Sequence, residues 1–431
     1  MCRFPRVTGM QVLQVVWDGG GNAPMQLGIA RALVAGGNEV RILASSSLRE
    51  RVEATGSAFV PFQRAPDISM SSKETDSVRD WGARTPLGST ARFRDRLIFG
   101  PALDFALDVL DELQRHPADV VAFDYLLLGA AVGAEKAGIP MAALIHNPYP
   151  LPTAGVPPFG LGLMPARGVP GRVRDGVLRV ASKRLLGPGL DALNGARRQL
   201  ELQPLDRYDA QLRRCDLLLV LTIPDLDFGS NADLPPNVRY VGPVLDSAEP
   251  HGSAGADWQT TDGRPFVVVS LGTTYQRQDG LASRVARALG ELPVRALLTT
   301  GPAVDPDEIV PPVNVDVRRF VPHVEVMPHA DLVVCHGGLG TVHAALAHGV
   351  PLICIPHGRD QGDNAARVVE AGAGLRVSRI ASAGRIRSAL QRALADESLR
   401  PAARRLELAI RHLDGTAGAV QELETLGGVR A

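Results

Sequence analysis

The sequence predicts an α/β protein of two domains, each built around a sheet of parallel strands. Three observations predict it. A chain of 431 residues is too long for one ordinary core. Its apolar runs are short and uninterrupted, as in Gln11 to Trp17 (QVLQVVW) and Pro265 to Ser270 (PFVVVS), and helical patterns alternate with them. Between the two sets lies Ser247 to Gly263 (SAEPHGSAGADWQTTDG), a stretch of linker composition.

Composition narrows the class further. Hydrophobic residues make up 45% and charged residues 21%, ordinary for a globular protein. Lys+Arg 46 against Asp+Glu 46 leaves no net charge, which argues against nucleic acid or an anionic membrane surface as partner. The four cysteines (Cys2, Cys215, Cys335, Cys354) lack paired spacing, so neither a disulfide framework nor a zinc site is expected, and a reducing cytoplasm is. Cys335 and Cys354 fall in apolar strands and read as small core residues. No apolar run approaches the roughly 20 residues that span a bilayer. The start, MCRFPRVTGM, has no apolar signal core, and residues 1–9 read as an extension before the first strand.

In the first half, Gln11 to Trp17 ends in the loop Asp18-Gly19-Gly20-Gly21-Asn22-Ala23. Pro24 stands where a first helical residue would, and Leu27, Ala30, Leu33 and Val34 form a helical stripe. Gly36-Gly37 stops that helix, and Glu39 to Ala44 is the second strand. The loop is no dinucleotide fingerprint: the third glycine is missing, and Ser45-Ser46-Ser47 stands where a ribose-binding acid is expected. Residues 63–100 read as polar and irregular. Ala102 to Leu113 reads as a helix whose alternating acids form a solvated outer face. The strands Asp119 to Tyr125 and Met141 to Ile145 enclose a helix, Gly129 to Ala137. Asp124 and the pair His146-Asn147 therefore fall at C-terminal strand ends, with Asp18 and Asn22, on the edge where open α/β sheets bind ligands. Tyr149 to Pro170 is too dense in Pro and Gly for regular structure. Helical patterns run from about Gly171 to Leu212, and a strand, Asp216 to Thr222, follows.

The second half opens with Pro265 to Ser270, leading into the small-residue turn Leu271-Gly272-Thr273-Thr274. Arg295 to Thr300 and Val315 to Phe320 supply further strands. Ala330 to Val377 is the most informative stretch. It reads as a strand (Asp331 to Cys335), a glycine turn, a helix, a strand (Pro351 to Pro356), a polar loop and a second helix. Gly337, Gly338 and Gly340 at a helix N-terminus make an anion site suited to phosphate, because backbone amides can approach a ligand there. His336 and Thr341 each add a hydrogen-bond donor. In the loop Arg359-Asp360-Gln361, a carboxylate beside a carboxamide suits neutral vicinal hydroxyls. The last helical pattern, about Arg404 to Leu426, breaks near Gly415.

His336-Gly337-Gly338, Gly340-Thr341, Gly349-Val350-Pro351, Asp360-Gln361 and Asn364 keep one order and spacing, with Phe320-Val321-Pro322-His323 upstream. This pattern resembles the donor signature of GT-B inverting glycosyltransferases, in particular those acting on natural products. The resemblance implies two Rossmann-like domains facing across a cleft: an acceptor domain over 1–246, a linker over 247–263, a nucleotide-sugar domain over 264–410, and a final helix, 411–431, packing back on the first domain. It implies that Phe320 stacks on the base and the Val321 backbone reads it. His336, Gly338, Gly340, Thr341, Thr273 and Thr274 would hold the diphosphate, and Asp360 and Gln361 the sugar. Residues 63–100 and 149–170 would line the acceptor site, and Asn22 would stand in the acceptor loop. The implied partners are a UDP- or dTDP-sugar and a small hydrophobic aglycone, with no metal or other cofactor, in a monomer or homodimer. Where the family has a ribose-binding glutamate, this chain has Ala344, which weakens a claim for UDP over dTDP.

One departure matters for chemistry. The family carries its general base, a histidine, in the first glycine loop; alignment on Pro24 places Gly21 there, and no histidine precedes His116. Asp18 is the first candidate for the base, with Asp124 and His146 next. The alternatives are a non-catalytic auxiliary protein supporting a partner transferase and a nucleotide-sugar 2-epimerase. The intact donor signature argues against the first and Asp360-Gln361 against the second. No Gly-x-Ser-x-Gly elbow of an α/β-hydrolase is present.

Overall fold

A computed structural model describes residues 9–70, 72–230, 233–245, 262–272, 274, 276, 279–302 and 304–428. Residues 1–8, most of the expected linker (246–261) and the expected phosphate contact Thr273 lie outside the described residues.

Two sheets form. The first holds β1 (Gln11–Val16), β2 (Glu39–Ala44), β3 (Ala58–Pro61), β4 (Val120–Asp124), β5 (Met141–Ile145), β6 (Leu217–Val220) and β7 (Val238–Tyr240), in the order β3-β2-β1-β4-β5-β6-β7. The second holds β8 (Phe266–Ser270), β9 (Arg295–Thr299), β10 (Val315–Arg318), β11 (Leu332–Cys335), β12 (Leu352–Cys354) and β13 (Gly374–Arg376), in the order β10-β9-β8-β11-β12-β13. Every pairing is parallel. Strands such as β4, β5 and β8 are buried throughout, because helices cover both faces, and this is why they read as unbroken apolar runs. Cys335 and Cys354 are fully buried in this core. The strand order reverses between β1 and β4 and between β8 and β11. The loops after those strands diverge and leave a crevice at each sheet's carboxyl edge.

Several stretches differ from the sequence reading. Residues 63–100 are not irregular throughout: Pro86–Phe93 is a helix, continuing into one π-helical turn at Arg94–Ile98. Its start is written in Thr85-Pro86, since the Thr85 hydroxyl accepts from Gly88 N at 3.1 Å. The helix Ala102–Arg115 does not turn all its acids to solvent. Asp108 is buried and accepts from the backbone N–H groups of Gln63, Arg64 and Ala65 at 2.9, 3.1 and 3.0 Å. Glu112 is buried against Arg41 at 2.9 Å. A buried carboxylate requires such partners, so these acids anchor the segment that passes over them. The expected 171–212 helix runs Gly168–Gln199, with a separate turn at Ala210–Arg213. The break near Gly415 falls at Leu413-Asp414, and Asp414 caps the final helix, Gly415–Leu426, by accepting from Thr416 N and Ala417 N.

That final helix packs on the helix Asn22–Ala35 of the first half, where Glu424 accepts from Asn38 Nδ2 at 2.9 Å. The chain thus leaves the first half through 241–245 and returns at 413–415. The two segments touch: a Cβ on Gly415 would lie 2.4 Å from the carbonyl oxygens of Gly242 and Pro243.

A buried polar seam joins the halves. Arg367 Nη2 lies 2.9 Å from Asp227 Oδ1, with the side chains 4% and 0% exposed. Asp227 also accepts from Tyr149 N at 2.6 Å and from the Tyr240 hydroxyl at 2.9 Å. Nearby, Asp363 accepts from Gly160 N (3.0 Å) and Gly162 N (3.3 Å), and burial pushes its pKa up to about 6. The Pro- and Gly-rich segment 149–170 is therefore fastened to the second half. Removing one partner of such a pair leaves a charge stranded in low dielectric. Asp227→Ala is expected to cost about 3–5 kcal/mol of stability. A fall in the denaturant-unfolding midpoint checks this, and an unchanged midpoint would show that the pair contributes nothing.

Candidate active site

The carboxyl edges of the two sheets enclose a cleft of about 1630 Å³. That is ample for a nucleotide-sized ligand with a second molecule beside it.

On the second-half wall, β11 turns through His336-Gly337-Gly338 into the helix Leu339–Leu346. Gly337 has φ +88°, and a Cβ there would sit 2.9 Å from the Gln361 carbonyl oxygen, so both backbone and space demand glycine. The first N–H groups of the helix, at Leu339, Gly340 and Thr341, have no partner within it and line the cleft. The His336 ring lies against Gly272 and Gly338, where Cβ atoms would fall 3.1 and 2.3 Å from its Nε2. Its Nδ1 is 3.5 Å from the Ser270 carbonyl oxygen, which only accepts. Burial pushes its pKa below the ordinary 6.5. The neutral ring then carries its proton on Nδ1, and Nε2 is an acceptor; the expected donor becomes one only when protonated. His323 and His357 flank it, pushed down to about 4 and about 3 by burial and by His336.

Thr341 is buried at the cleft, and Thr274 Oγ1 accepts from Arg359 Nη1 at 3.1 Å. Val321 is buried, whereas Phe320 is 52% exposed and lines the cleft, a platform rather than a core residue. Asp360 and Gln361 do different work. Gln361 Oε1 accepts from His357 N (2.7 Å) and Gly358 N (3.3 Å), and its Nε2 donates to Gln276 Oε1 (3.0 Å). Its carboxamide thus braces the loop through its oxygen and one N–H, while the residue also lines the cleft, where the expected sugar contact would use the other N–H. Asp360 lines the cleft and accepts from Asn364 Nδ2 at 2.8 Å.

On the first-half wall, the three candidate bases separate. The Asp18 carboxylate is engaged: Oδ2 accepts from the hydroxyls of Ser47 (2.8 Å) and Ser69 (2.6 Å), and Oδ1 from Gly20 N (3.3 Å). It fastens residues 68–70 to the end of β1. Asn22 is buried, donating from Nδ2 to the Trp17 carbonyl (2.9 Å) and to Asp124 Oδ2 (2.8 Å), so it staples the glycine loop. Asp124 is fully buried and also accepts from Gln26 Nε2 (2.6 Å) and Leu126 N (3.1 Å).

Asp124 Oδ2 lies 3.4 Å from His146 Nδ1, and the His146 side chain is 12% exposed and lines the cleft. Nδ1 is buried with no hydrogen bond among the described residues, so the carboxylate is what meets it. A carboxylate only accepts, so a proton on Nδ1 would face it and would leave the Nε2 lone pair for the cleft. The signal in the sequence is strand adjacency: β4 and β5 pair with Asp124 opposite Leu144, which brings the residue after β5 beside Asp124. Gly21 has ordinary helical backbone (φ −73°), and a Cβ there would meet nothing within 4 Å. Sequence reading placed Asn147 on this edge but did not single out Asp80 or Gln276; all three line the cleft and contact its donor-side loop.

Among the described residues, no group of three or more His, Cys, Asp or Glu is placed to hold a metal ion, and no helix is long and apolar enough to cross a membrane.

Residues 283–414 match the family described as erythromycin biosynthesis protein CIII-like, C-terminal domain. The chain is 34% identical over 423 residues to the 4'-demethylrebeccamycin synthase of Lentzea aerocolonigenes, covering 97% of this chain and 100% of that protein. Among solved structures, the calicheamicin glycosyltransferase CalG4 superposes with a TM-score of 0.77 at 19% identity, covering 97% of this chain and 98% of that one. The glycosyltransferase VinC, solved in complex with dTDP, superposes with a TM-score of 0.71 at 20% identity, covering 97% and 100%. At those identities the structures establish the fold alone, two parallel-sheet domains in the GT-B arrangement. The chain belongs to the GT-B glycosyltransferases of antibiotic biosynthesis, with a C-terminal domain of the erythromycin CIII type.

Proposed function

We propose that this glycosyltransferase moves a sugar from a dTDP- or UDP-sugar to a small hydrophobic natural product, in one inverting displacement that needs no metal. The observation that carries the reading is the Asp124–His146 pair, which opens on the same cleft as the helix-start amides of Leu339, Gly340 and Thr341. A base on one wall and an anion site on the other suit attack and departure on opposite faces of one carbon. The first domain would take the acceptor and the second the donor, as the apolar side chains of Trp17, Phe93, Phe99 and Leu151 on the first wall support.

In this reading His146 Nε2 accepts the acceptor's proton as its oxygen or nitrogen bonds to the anomeric carbon. Asp124 stabilises the imidazolium that forms. The bond from that carbon to the diphosphate breaks, and its electron pair leaves with the diphosphate. The amides at the helix start and a protonated His336 meet the new charge. Phe320 would stack on the base. Ala344 lines the cleft without a carboxylate for ribose hydroxyls, which favours dTDP over UDP. Similarity along the whole chain to the rebeccamycin synthase supports an antibiotic-type acceptor.

His146→Ala is expected to lower kcat by about 10²–10⁴-fold with the donor KM unchanged. Asp18→Asn should act mainly on stability. Because position 21 has open space and helical backbone, Gly21→His should return part of the lost rate in the His146→Ala background. Steady-state transfer assays with dTDP-glucose and UDP-glucose against aromatic and macrolide acceptors read all three. Full activity in His146→Ala would discard this base.

His336 generates a separate expectation. Its pKa is depressed in the free protein and rises beside an anionic diphosphate, so donor binding takes up a proton and tightens as pH falls below neutrality. Calorimetry with dTDP-glucose, whose diphosphate diester does not titrate near pH 7, in buffers of different ionisation heat should show net proton uptake. His336→Gln should abolish it, and an uptake of zero in the wild type would refute the assignment.

A further inference from the structure

We propose that Asp80, on the acceptor side of the cleft, is a positioning residue for the donor sugar and acts through Arg359. The inference rests on the reading of the cleft as a nucleotide-sugar site.

Arg359 immediately precedes Asp360, and its backbone is held at φ +55°. A residue with a side chain adopts that left-handed conformation only where its surroundings enforce it. The guanidinium forks onto Asp80, Nε to Oδ2 at 3.1 Å and Nη2 to Oδ1 at 3.0 Å. Its remaining nitrogen, Nη1, donates to Thr274 Oγ1 at 3.1 Å, and the group lies 5.5 Å over the Phe93 ring. The side chains of Arg359 and Asp80 are 14% and 7% exposed, so solvent ions screen the pair little. Asp80 sits in the short turn Asp80–Gly82 of the first half, 279 positions from its partner.

A second contact from the first half reaches the same loop one residue later. With the Asn147 amide turned to suit its neighbours, its nitrogen donates to Asp360 Oδ2 at 3.0 Å and its oxygen accepts from the Tyr125 hydroxyl. Burial, with Asp360 and Asp124 nearby, pushes the Tyr125 phenol well above its ordinary 10, so it keeps the proton it donates. The loop that presents Asp360 is therefore shaped from both walls: Gln276 and Thr274 from its own half, Asp80 and Asn147 from the other. Asp80 also neutralises Arg359, which turns the guanidinium from a phosphate ligand into a structural clamp. If Asp360 holds the sugar, as the nucleotide-sugar reading has it, sugar binding should depend on Asp80 and nucleotide binding should not.

Binding of dTDP and dTDP-glucose to the full-length wild type, Asp80→Asn and Arg359→Gly tests this. Glycine takes φ +55° freely, so Arg359→Gly removes the guanidinium without straining the loop. Each single variant is expected to weaken dTDP-glucose about ten-fold and dTDP less than about two-fold, and the double variant to be no weaker than the worse single. Retained dTDP binding reports an intact fold, and in turnover the donor KM should rise with the acceptor KM unmoved. Equal loss for both ligands, or no loss, overturns the role of Asp80. Tighter dTDP binding in Asp80→Asn overturns it in favour of a guanidinium that contacts phosphate directly. A wild type that binds no dTDP, UDP or sugar derivative of either overturns the nucleotide-sugar reading itself, and this inference with it.

Discussion

Arg367 and Asp227 form an ion pair with almost no water on either side, and the relation between the two halves depends on it. Neither charge is tolerable alone in that setting. Asp227 belongs to the first half and Arg367 to the helix that follows Asp360-Gln361, so the pair exists only when the sheets face each other. Through Tyr149 N the same carboxylate also fixes the start of the acceptor-side segment. One buried aspartate thus ties together the donor helix, the acceptor segment and β7.

Within that frame the glycine loop after β1 has a different task from the one its family pattern implies. It supplies no imidazole. Asn22, at the end of the loop, reaches Asp124, and Asp124 holds His146 from the neighbouring strand. In the proposed mechanism the basic nitrogen arrives from β5 rather than β1, while the carboxylate stays at the end of β4. Moving an imidazole from one strand end to another in this way needs only that both point into the same crevice, which parallel strands guarantee.

What the sequence made legible is what depends on local pattern. Unbroken apolar runs marked the buried strands, and Gly337 marked the turn where a side chain would strike the Gln361 carbonyl. The illegible parts share one cause: partners distant along the chain. Asp108 and Glu112 look like solvent-facing acids until residues 63–65 and Arg41 are laid over them. Asp18 looks like a free strand-end acid until Ser47 and Ser69 fold back onto it. Gln361 looks like a cleft residue alone until Gln276 takes one of its two amide N–H groups. Thr85-Pro86 is the exception, a local capping signal inside a stretch read as irregular.

The contact between Gly242 and Gly415 bears on what the crossing between the halves accepts. The outgoing and returning segments lie backbone to backbone, with no space for a Cβ on Gly415. Any side chain there must push the two segments apart, and the final helix, which begins at Gly415 and packs on Asn22–Ala35, would carry the shift with it. A position far from any reacting atom is thereby as intolerant of change as one inside the cleft.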